Sequence, residues 1–329
     1  MKILSLGKVA LEVFSGLFFA RFLLLKSWRK FREPQQVLGK TFLITGANSG
    51  IGKALTENLY NMGANVIMVC RNSKSGQEVA DQIREGSSSG PGSITLKTMD
   101  LSSLRSVRKS AEDILQCSPK INVIINNAAV MQAPFKMTED GFENHIAVNH
   151  LSHALLTNLM LPKLAQSCTQ EDPGRIVFVT SSLYKKGTVL EEDFKPNAKD
   201  EKAFVRNRAY SNSKLANLLY AKELAVRIQR EGLPITVNLA SPGMCYTNLG
   251  RHFEMSLLKK LLFLPFALLF FKTPAQGAQT ILHAAASSKT VGLNGAYFGD
   301  MVEQKIVDVK SELTAKRIFD LTTHAIRDV

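Results

Sequence analysis

Cysteine is scarce in this chain, and the pattern of what little there is excludes several classes of protein. Cys70, Cys117, Cys168 and Cys245 are widely spaced and match neither a metal-ligand set nor a redox pair. They fit reduced, mostly buried thiols in a cytosol-facing domain. Histidine is also sparse. His145, His150 and His153 lie close together, but their spacing is not that of a zinc helix, so they read as packing or surface residues and no metal is expected. No long Pro/Gly/Ser stretch divides the 329 residues, which points to one large domain with terminal additions. Acidic side chains are in deficit: 28 Asp and Glu against 41 Lys and Arg leave a formal charge of +13. That balance favours anionic partners. A nucleic acid would demand a zinc pattern, a recognition motif or aromatics interleaved with a basic stripe. None is present, which leaves a phosphorylated cofactor and an acidic membrane surface.

A clean membrane-spanning run is missing too. The stretch VALEVFSGLFFARFLLLKSWRKFR, Val9 to Arg32, is broken by Glu12 and Arg21, whereas a span needs roughly 20 apolar residues. It crosses a bilayer only if Glu12 sits near one interface and Arg21 snorkels toward the other. Otherwise it lies in the interface, held by its apolar side and by Lys26, Arg29, Lys30 and Arg32. Either arrangement puts the following domain on the cytoplasmic side. No small-residue cleavage site follows, which argues against a signal peptide; a buried cap on a soluble domain is the remaining alternative. Residues 1–38 are therefore expected to associate with membrane, ahead of a single domain over 39–329. A second apolar run, Met255 to Phe271, carries Lys259, Lys260 and Pro265 and reads as a lid over a greasy pocket or as a subunit-packing helix.

What is present is a dinucleotide pattern. TFLITG at 41–46 reads as a strand meeting a glycine, followed by a loop and a helical KALTENLYNMG. The candidate phosphate loop comprises Thr45, Gly46, Ala47, Asn48, Ser49, Gly50, Ile51 and Gly52. Gly46 permits the turn, Gly50 lets backbone approach a pyrophosphate, and Gly52 lets helix pack on strand. A second strand, ANVIMVC, ends at Arg71, where an acidic residue would bind a free ribose 2′-hydroxyl. Arg71 instead suits a 2′-phosphate, helped by Lys53 and Asn48. Two unit charges 4 Å apart attract by about 4 kcal/mol at an effective dielectric of about 20, enough to favour NADP(H) over NAD(H). After the strand SITLKTMD, Asp100 is placed to hold the adenine edge and Leu101 to pack under the ring. INVIINNAA then sets Asn127, Ala128 and Ala129 beside the nicotinamide ribose.

The second half carries acid–base chemistry. Past the strand RIVFVTSS, Tyr210 and Lys214 stand one helical turn apart on one face. A phenol with a pKa near 10 is a poor acid or base at neutral pH; a neighbouring ammonium favours tyrosinate and can hold ribose hydroxyls. Tyr210 would then protonate an alkoxide or deprotonate an alcohol, with a strand-end serine steadying the substrate oxygen. Asn149, on the helix VNHLSHALLTNLMLP, can hold a water against Lys214 or serve as a core amide. PITVNLA precedes Pro242, Gly243, Met244 and Thr247, placed at the nicotinamide side, and KTPAQGAQT begins a helix near Pro274. Alternating strands and helices predict an α/β fold with a parallel sheet and helices on both faces.

These motifs together resemble the short-chain dehydrogenase/reductase family and, more narrowly, its retinol dehydrogenase-like branch. The matching segments are TGANSGIG (45–52), CR (70–71), DLSSLRSV (100–107), NNAA (126–129), VNHLSHALLTNLMLP (148–162), YSNSKLAN (210–217), SPG (241–243) and KTPAQGAQT (272–280). They cover roughly residues 39 to 300. The resemblance implies a Rossmann-type doubly wound sheet and a tetrad of Asn149, Ser181, Tyr210 and Lys214. Ser181 is chosen because VTSS puts Thr180 at the first hydroxyl position, with Ser182 as the fallback. The family's NNAG is NNAA here, so Ala129 tightens the cofactor path. The branch implies a membrane-associated NADP(H) enzyme, at the endoplasmic reticulum or lipid droplet, that acts on retinoids, sterols or other lipophilic alcohols and carbonyls. Its lengthened serine-to-tyrosine connection appears as YKKGTVLEEDFKPNAKDEKAFVRNRA, a charged surface excursion in which Tyr184 lines the pocket or packs at the surface. Ser181, Tyr184 and Tyr210 are thus the expected substrate contacts. Related folds often form dimers, so a homodimer is one expected assembly. A steroid or 3-ketoacyl reductase, and a non-catalytic NADP(H)-binding scaffold, are the competing readings.

Overall fold

The computed structural model describes residues 29–87, 92–198, 201–247, 264–267, 269–307 and 313–327, with the single positions 16, 249 and 309. Most of the expected membrane segment 1–38, and most of the apolar run 255–271, lie outside these. Six apolar, β-branched runs form the strands their composition predicts: β1 (Thr41–Thr45), β2 (Asn65–Cys70), β3 (Ser93–Thr98), β4 (Val123–Asn126), β5 (Gly174–Val179) and β6 (Ile235–Ser241). Two further strands, β7 (Tyr297–Gly299) and β8 (Val302–Glu303), were not expected; each is too short to carry a period-2 signal. The order is β3-β2-β1-β4-β5-β6-β7-β8, parallel throughout except for the β7–β8 hairpin.

Helices connect the parallel strands: α1 (Gly50–Asn61), α2 (Ser73–Gly86), α3 (Leu104–Cys117), α4 (Ser152–Gln166), α5 (Arg206–Arg230) and α6 (Pro274–Ala286). Their starts follow from local chemistry. Asn72 and Ser103 cap α2 and α3 by accepting the backbone N–H of Ser75 and Ser106. A reciprocal pair between Thr273 and Gln276, with Pro274 at the first position, opens α6 where the sequence predicts it. Strand alternation then sorts the core into two layers. Leu43, Ile124, Ile176 and Phe178 face α3, α4 and α5, whereas Phe42, Ile44, Ile125 and Val177 face α1, α2 and α6. The doubly wound sheet is therefore as expected.

The strand order reverses between β1 and β4, which opens a crevice at their carboxyl ends, the place where such sheets bind ligands. The loops leaving β1 and β4 are the predicted glycine loop and NNAA.

Three features depart from or extend the sequence expectations. The 184–209 connection is not purely a surface excursion, because Tyr184, Val189 and Phe194 are buried in the core. The domain's packing also reaches back before residue 39. Phe31 and Val37 join the core, Phe31 N–H donates to Gln279, and Glu33 accepts from Ser287 and Ser288. Finally, α7 (Ala315–Arg327) lies on α5, with Phe319 stacked on Tyr220 at 5.0 Å and the Arg227 guanidinium 3.9 Å from the Phe319 ring centre. Among the described residues no helix is long and apolar enough to cross a membrane.

Because Phe319 is nearly buried and anchors α7 through these contacts, Phe319→Ala should lower the unfolding free energy by about 3 kcal/mol. Denaturant unfolding checks it, with hydrogen exchange expected to speed up first across 315–327.

Candidate active site

The glycine loop is shaped by an unusually close backbone approach. Gly46 and Gly50 adopt left-handed φ of 66° and 50°, a region that favours glycine. A Cβ on Gly52 would lie 2.0 Å from the Gly46 carbonyl oxygen and 2.9 Å from Asn127 Nδ2. Only glycine therefore lets α1 start this near the end of β1 and turn its first amides toward the crevice. The neighbouring loop is tied to the same strand end. Thr45 Oγ1 accepts the N–H of Asn127 (2.9 Å) and of Ala128 (3.0 Å), and Asn127 Nδ2 donates to the Thr45 carbonyl at 2.8 Å.

One cleft at this point is lined by Gly46, Ser49, Gly50, Ile51, Gly52 and Asn127, and on its other side by Tyr210, Lys214, Pro242 and Thr247. Ala129 lines it as well, together with Val179, Thr180 and Leu249, none of which the sequence reading had assigned to a site. Tyr210 and Lys214 are both buried. Their helix is pinned beside them: Ser213 Oγ donates to the Tyr210 carbonyl at 2.8 Å and accepts from Asn149 Nδ2 at 2.9 Å.

The two ionisable groups respond to burial in opposite senses. Desolvation pushes the Tyr210 phenol up to about 12, against a hydrogen bond from Ser181 that favours the phenolate. Desolvation brings the Lys214 ammonium down to about 8. Lys214 Nζ donates to the Val179 carbonyl at 2.8 Å and stands 5.7 Å from the centre of the Tyr210 ring. Burial thus outweighs the expected pull of Lys214 toward tyrosinate and keeps Tyr210 protonated in the free protein. The Ser181–Tyr210 hydrogen bond brings together the serine and phenol that the sequence pairs. Ser181 also caps the short turn Ser182–Lys186.

Asn149 is fully buried within a π-helical turn, Ala147–Leu151, a distortion found often at functional sites. Its side-chain amide grips Val130: Oδ1 accepts from Val130 N–H at 2.8 Å and Nδ2 donates to Val130 O at 3.0 Å. With Ser213 taking the second Nδ2 hydrogen, both amide donors are spent on protein, so the side chain has none left for a water.

The adenosine end is more open. Arg71 follows β2 and is exposed. Asn48 donates to Ser75 Oγ at 2.9 Å and Lys53 to Gln82 Oε1 at 2.8 Å, so both lean toward α2, the helix that starts just after Arg71. Asp100 accepts from Ser102 N–H and Oγ at 2.9 and 2.8 Å, and Leu101 packs into the core below it. Gly243 has a φ of 78° and lies against Lys272, which pairs with Asp300. Tyr184 is a correction. It is fully buried, its hydroxyl donating to Val307 O at 3.0 Å and accepting from Val307 N–H at 3.2 Å, so it belongs to the core and not to the pocket wall.

The glycine loop and the NNAA turn fit a dinucleotide: a cradle that a Cβ would fill sits below a helix start and faces a buried lysine. Comparison with known proteins agrees. Residues 40–191 match the family model described as short chain dehydrogenase. Human retinol dehydrogenase 14 is 43% identical over 89% of this chain and 88% of its own length. Human retinol dehydrogenase 12 is 36% identical over 95% of this chain and 96% of its own length. A crystal structure of an uncharacterized Mycobacterium paratuberculosis protein superimposes with a TM-score of 0.68 at 28% identity, covering 91% of this chain and 98% of that one.

With no room for a Cβ at position 52, Gly52→Ala should weaken nicotinamide dinucleotide binding by at least about tenfold while the fold persists. Fluorescence titration of the nucleotide, with circular dichroism alongside, measures both.

Proposed function

We propose, for a chain that belongs to the short-chain dehydrogenase/reductase family and to its retinol dehydrogenase-like branch, an NADP(H)-dependent interconversion of lipophilic alcohols and carbonyls. The observation that carries this is the convergence of the Ser181–Tyr210 hydrogen bond and Lys214 on the cleft lined by the glycine loop. The cofactor supplies or accepts the hydride. Tyr210 and Ser181 hold the substrate oxygen between their hydroxyls, and Tyr210 hands its proton to that oxygen as negative charge develops on it. Lys214, when charged, stabilises the resulting phenolate and holds the nicotinamide ribose. Asn149 acts through its side-chain amide, fixing the Val130 backbone beyond the NNAA turn and the Ser213 hydroxyl between Tyr210 and Lys214. In the oxidative direction the same groups work in reverse.

Arg71 supports the choice of NADP(H): it occupies the strand end where an acidic residue would select NAD(H). The named activity of the similar proteins, with the apolar composition of the run 255–271, supports a retinoid or comparably greasy substrate. The described part of that run leaves Leu264, Phe266 and Phe270 each somewhat less than half exposed. The apolar stretch that begins at Val9, ahead of the Phe31 that packs in the core, would hold the enzyme at a membrane of the endoplasmic reticulum or lipid droplet with the catalytic domain in the cytosol. Asn48, Lys53, Asp100 and Leu101 would serve the adenosine half, and Pro242, Gly243 and Thr247 the nicotinamide half.

Full-length protein in mild detergent should oxidise NADPH when given all-trans-retinal, and Tyr210→Phe should lower kcat by about 10² to 10⁴ with NADPH still bound. Tight NADPH binding without Tyr210-dependent turnover, across retinal, sterol and fatty aldehyde substrates, would establish a scaffold instead.

The pH dependence follows from the free enzyme. Lys214 has a lowered pKa, so its charge is present below about pH 8 and is lost as pH rises through that value. The kcat/KM for carbonyl reduction should fall on the alkaline side near pH 8, well before Tyr210 titrates, and the fall should move to higher pH in Lys214→Arg. Arg71→Asp should weaken NADPH by more than about tenfold relative to NADH, which parallel titrations of the two nucleotides measure; equal losses would remove Arg71 from 2′-phosphate recognition.

A further inference from the structure

The chemistry above leaves several buried titratable side chains unused, His145, His150 and His153 among them. His153 lies on α4 and is 1% exposed. Its Nε2 is 2.9 Å from Thr45 Oγ1 and its Nδ1 is 3.0 Å from the Asn149 carbonyl oxygen. The proton inventory allows a single arrangement. A carbonyl only accepts, so Nδ1 carries the hydrogen; in a neutral ring Nε2 is then an acceptor, and the Thr45 hydroxyl must donate to it. Thr45 is free to do so because its oxygen is already turned to the amides of Asn127 and Ala128 as their acceptor. All three hydrogen-bonding positions of that hydroxyl are thereby filled.

The ring stays neutral. Burial above all, with smaller contributions from Lys214 and His150, brings the His153 pKa down to about 3 against the opposing hydrogen bond to the Asn149 carbonyl. A protonated ring would press an Nε2–H against a hydroxyl with no lone pair to spare. On its other side the Asn149 carbonyl accepts from Asn217 Nδ2 at 2.8 Å, so two side chains share an oxygen in the π-helical turn.

We infer that His153 is a positioning residue which joins the end of β1 to the turn carrying Asn149, holding the Thr45 hydroxyl and the Asn149 carbonyl in register through one neutral tautomer. Its consequence is geometric. The Thr45 hydroxyl rotor sets the Asn127–Ala128 backbone, and with it the turn whose Asn127 and Ala129 line the cleft, and Asn149 sets Val130 and Ser213. His153 thereby fastens the glycine-loop side of the cleft to the Tyr210–Lys214 side. The effect on turnover rests on the function proposed above; the tautomer and the backbone ordering do not.

Nitrogen-15 histidine NMR of the wild-type chain should show His153 protonated at Nδ1 only, unchanged from pH 5 to 9. The opposite tautomer, or titration in that range, overturns the inference. His153→Leu should speed exchange of the Asn127 and Ala128 amides and raise the KM for NADPH, each by about tenfold or more, and lower kcat. His153→Gln, whose amide offers both a donor and an acceptor, should return the exchange rates and KM to within about threefold of wild type. Thr45→Val should reproduce the leucine phenotype, with the double variant no worse than either single one. A leucine variant with a lower melting temperature but wild-type exchange at 127–128 and wild-type KM would make His153 a packing residue and overturn the inference. If the leucine variant does not fold, the tautomer and the Gln and Thr45→Val variants decide. If the wild-type chain binds no NADPH, the proposed function fails, and amide exchange alone judges His153.

Discussion

The site depends on how near α1 can start to the end of β1. Gly52 must lie against the Gly46 carbonyl with no room for a side chain. That contact places the helix start, with its unpaired amides, over the switch point of the sheet. The turn after β4 is drawn to the same strand end by Thr45 and Asn127, so two loops from adjacent parallel strands share one wall. Any residue other than glycine at position 52 would separate helix from strand and open the cradle.

Across the cleft, burial does a different job. Tyr210 and Lys214 are both shielded from water, and desolvation opposes the charged form of each. Tyr210 is thereby kept protonated and Lys214 held close to its own titration, so small changes in local charge are felt strongly. The carbonyl of Val179, the hydroxyl of Ser213 and the side chain of Ser181 fix the pair without neutralising it. The last helix, α7, reinforces this from behind: Phe319 packs on Tyr220, three turns along α5 from Tyr210.

Much of this could be read from the chain because each strand is a short apolar run that ends at a residue with a distinct job. TFLITG, NNAA and YSNSK carry their chemistry within a few positions, and Thr273 with Pro274 marks a helix start. What could not be read was pairing across distance. Nothing near Tyr184 says that its hydroxyl meets the backbone of Val307, more than a hundred residues later. His153 looked like packing because its partners, Thr45 and Asn149, come from different elements; a threonine closing the apolar run of β1 was the available clue. Strands β7 and β8 were missed because their pairing depends on a turn at Asp300 and Met301, both in left-handed conformations, that the sequence does not advertise.

The central claim is that the two walls of this cleft work together in hydride transfer, and isotope transfer tests it most directly. The full-length protein would be incubated with retinal and NADPH carrying deuterium on the transferring face of its nicotinamide C4, and the retinol analysed by mass spectrometry. One deuterium is expected on the carbinol carbon with wild-type protein and almost none with Tyr210→Phe. Unlabelled retinol, or equal labelling by the two proteins, would contradict it.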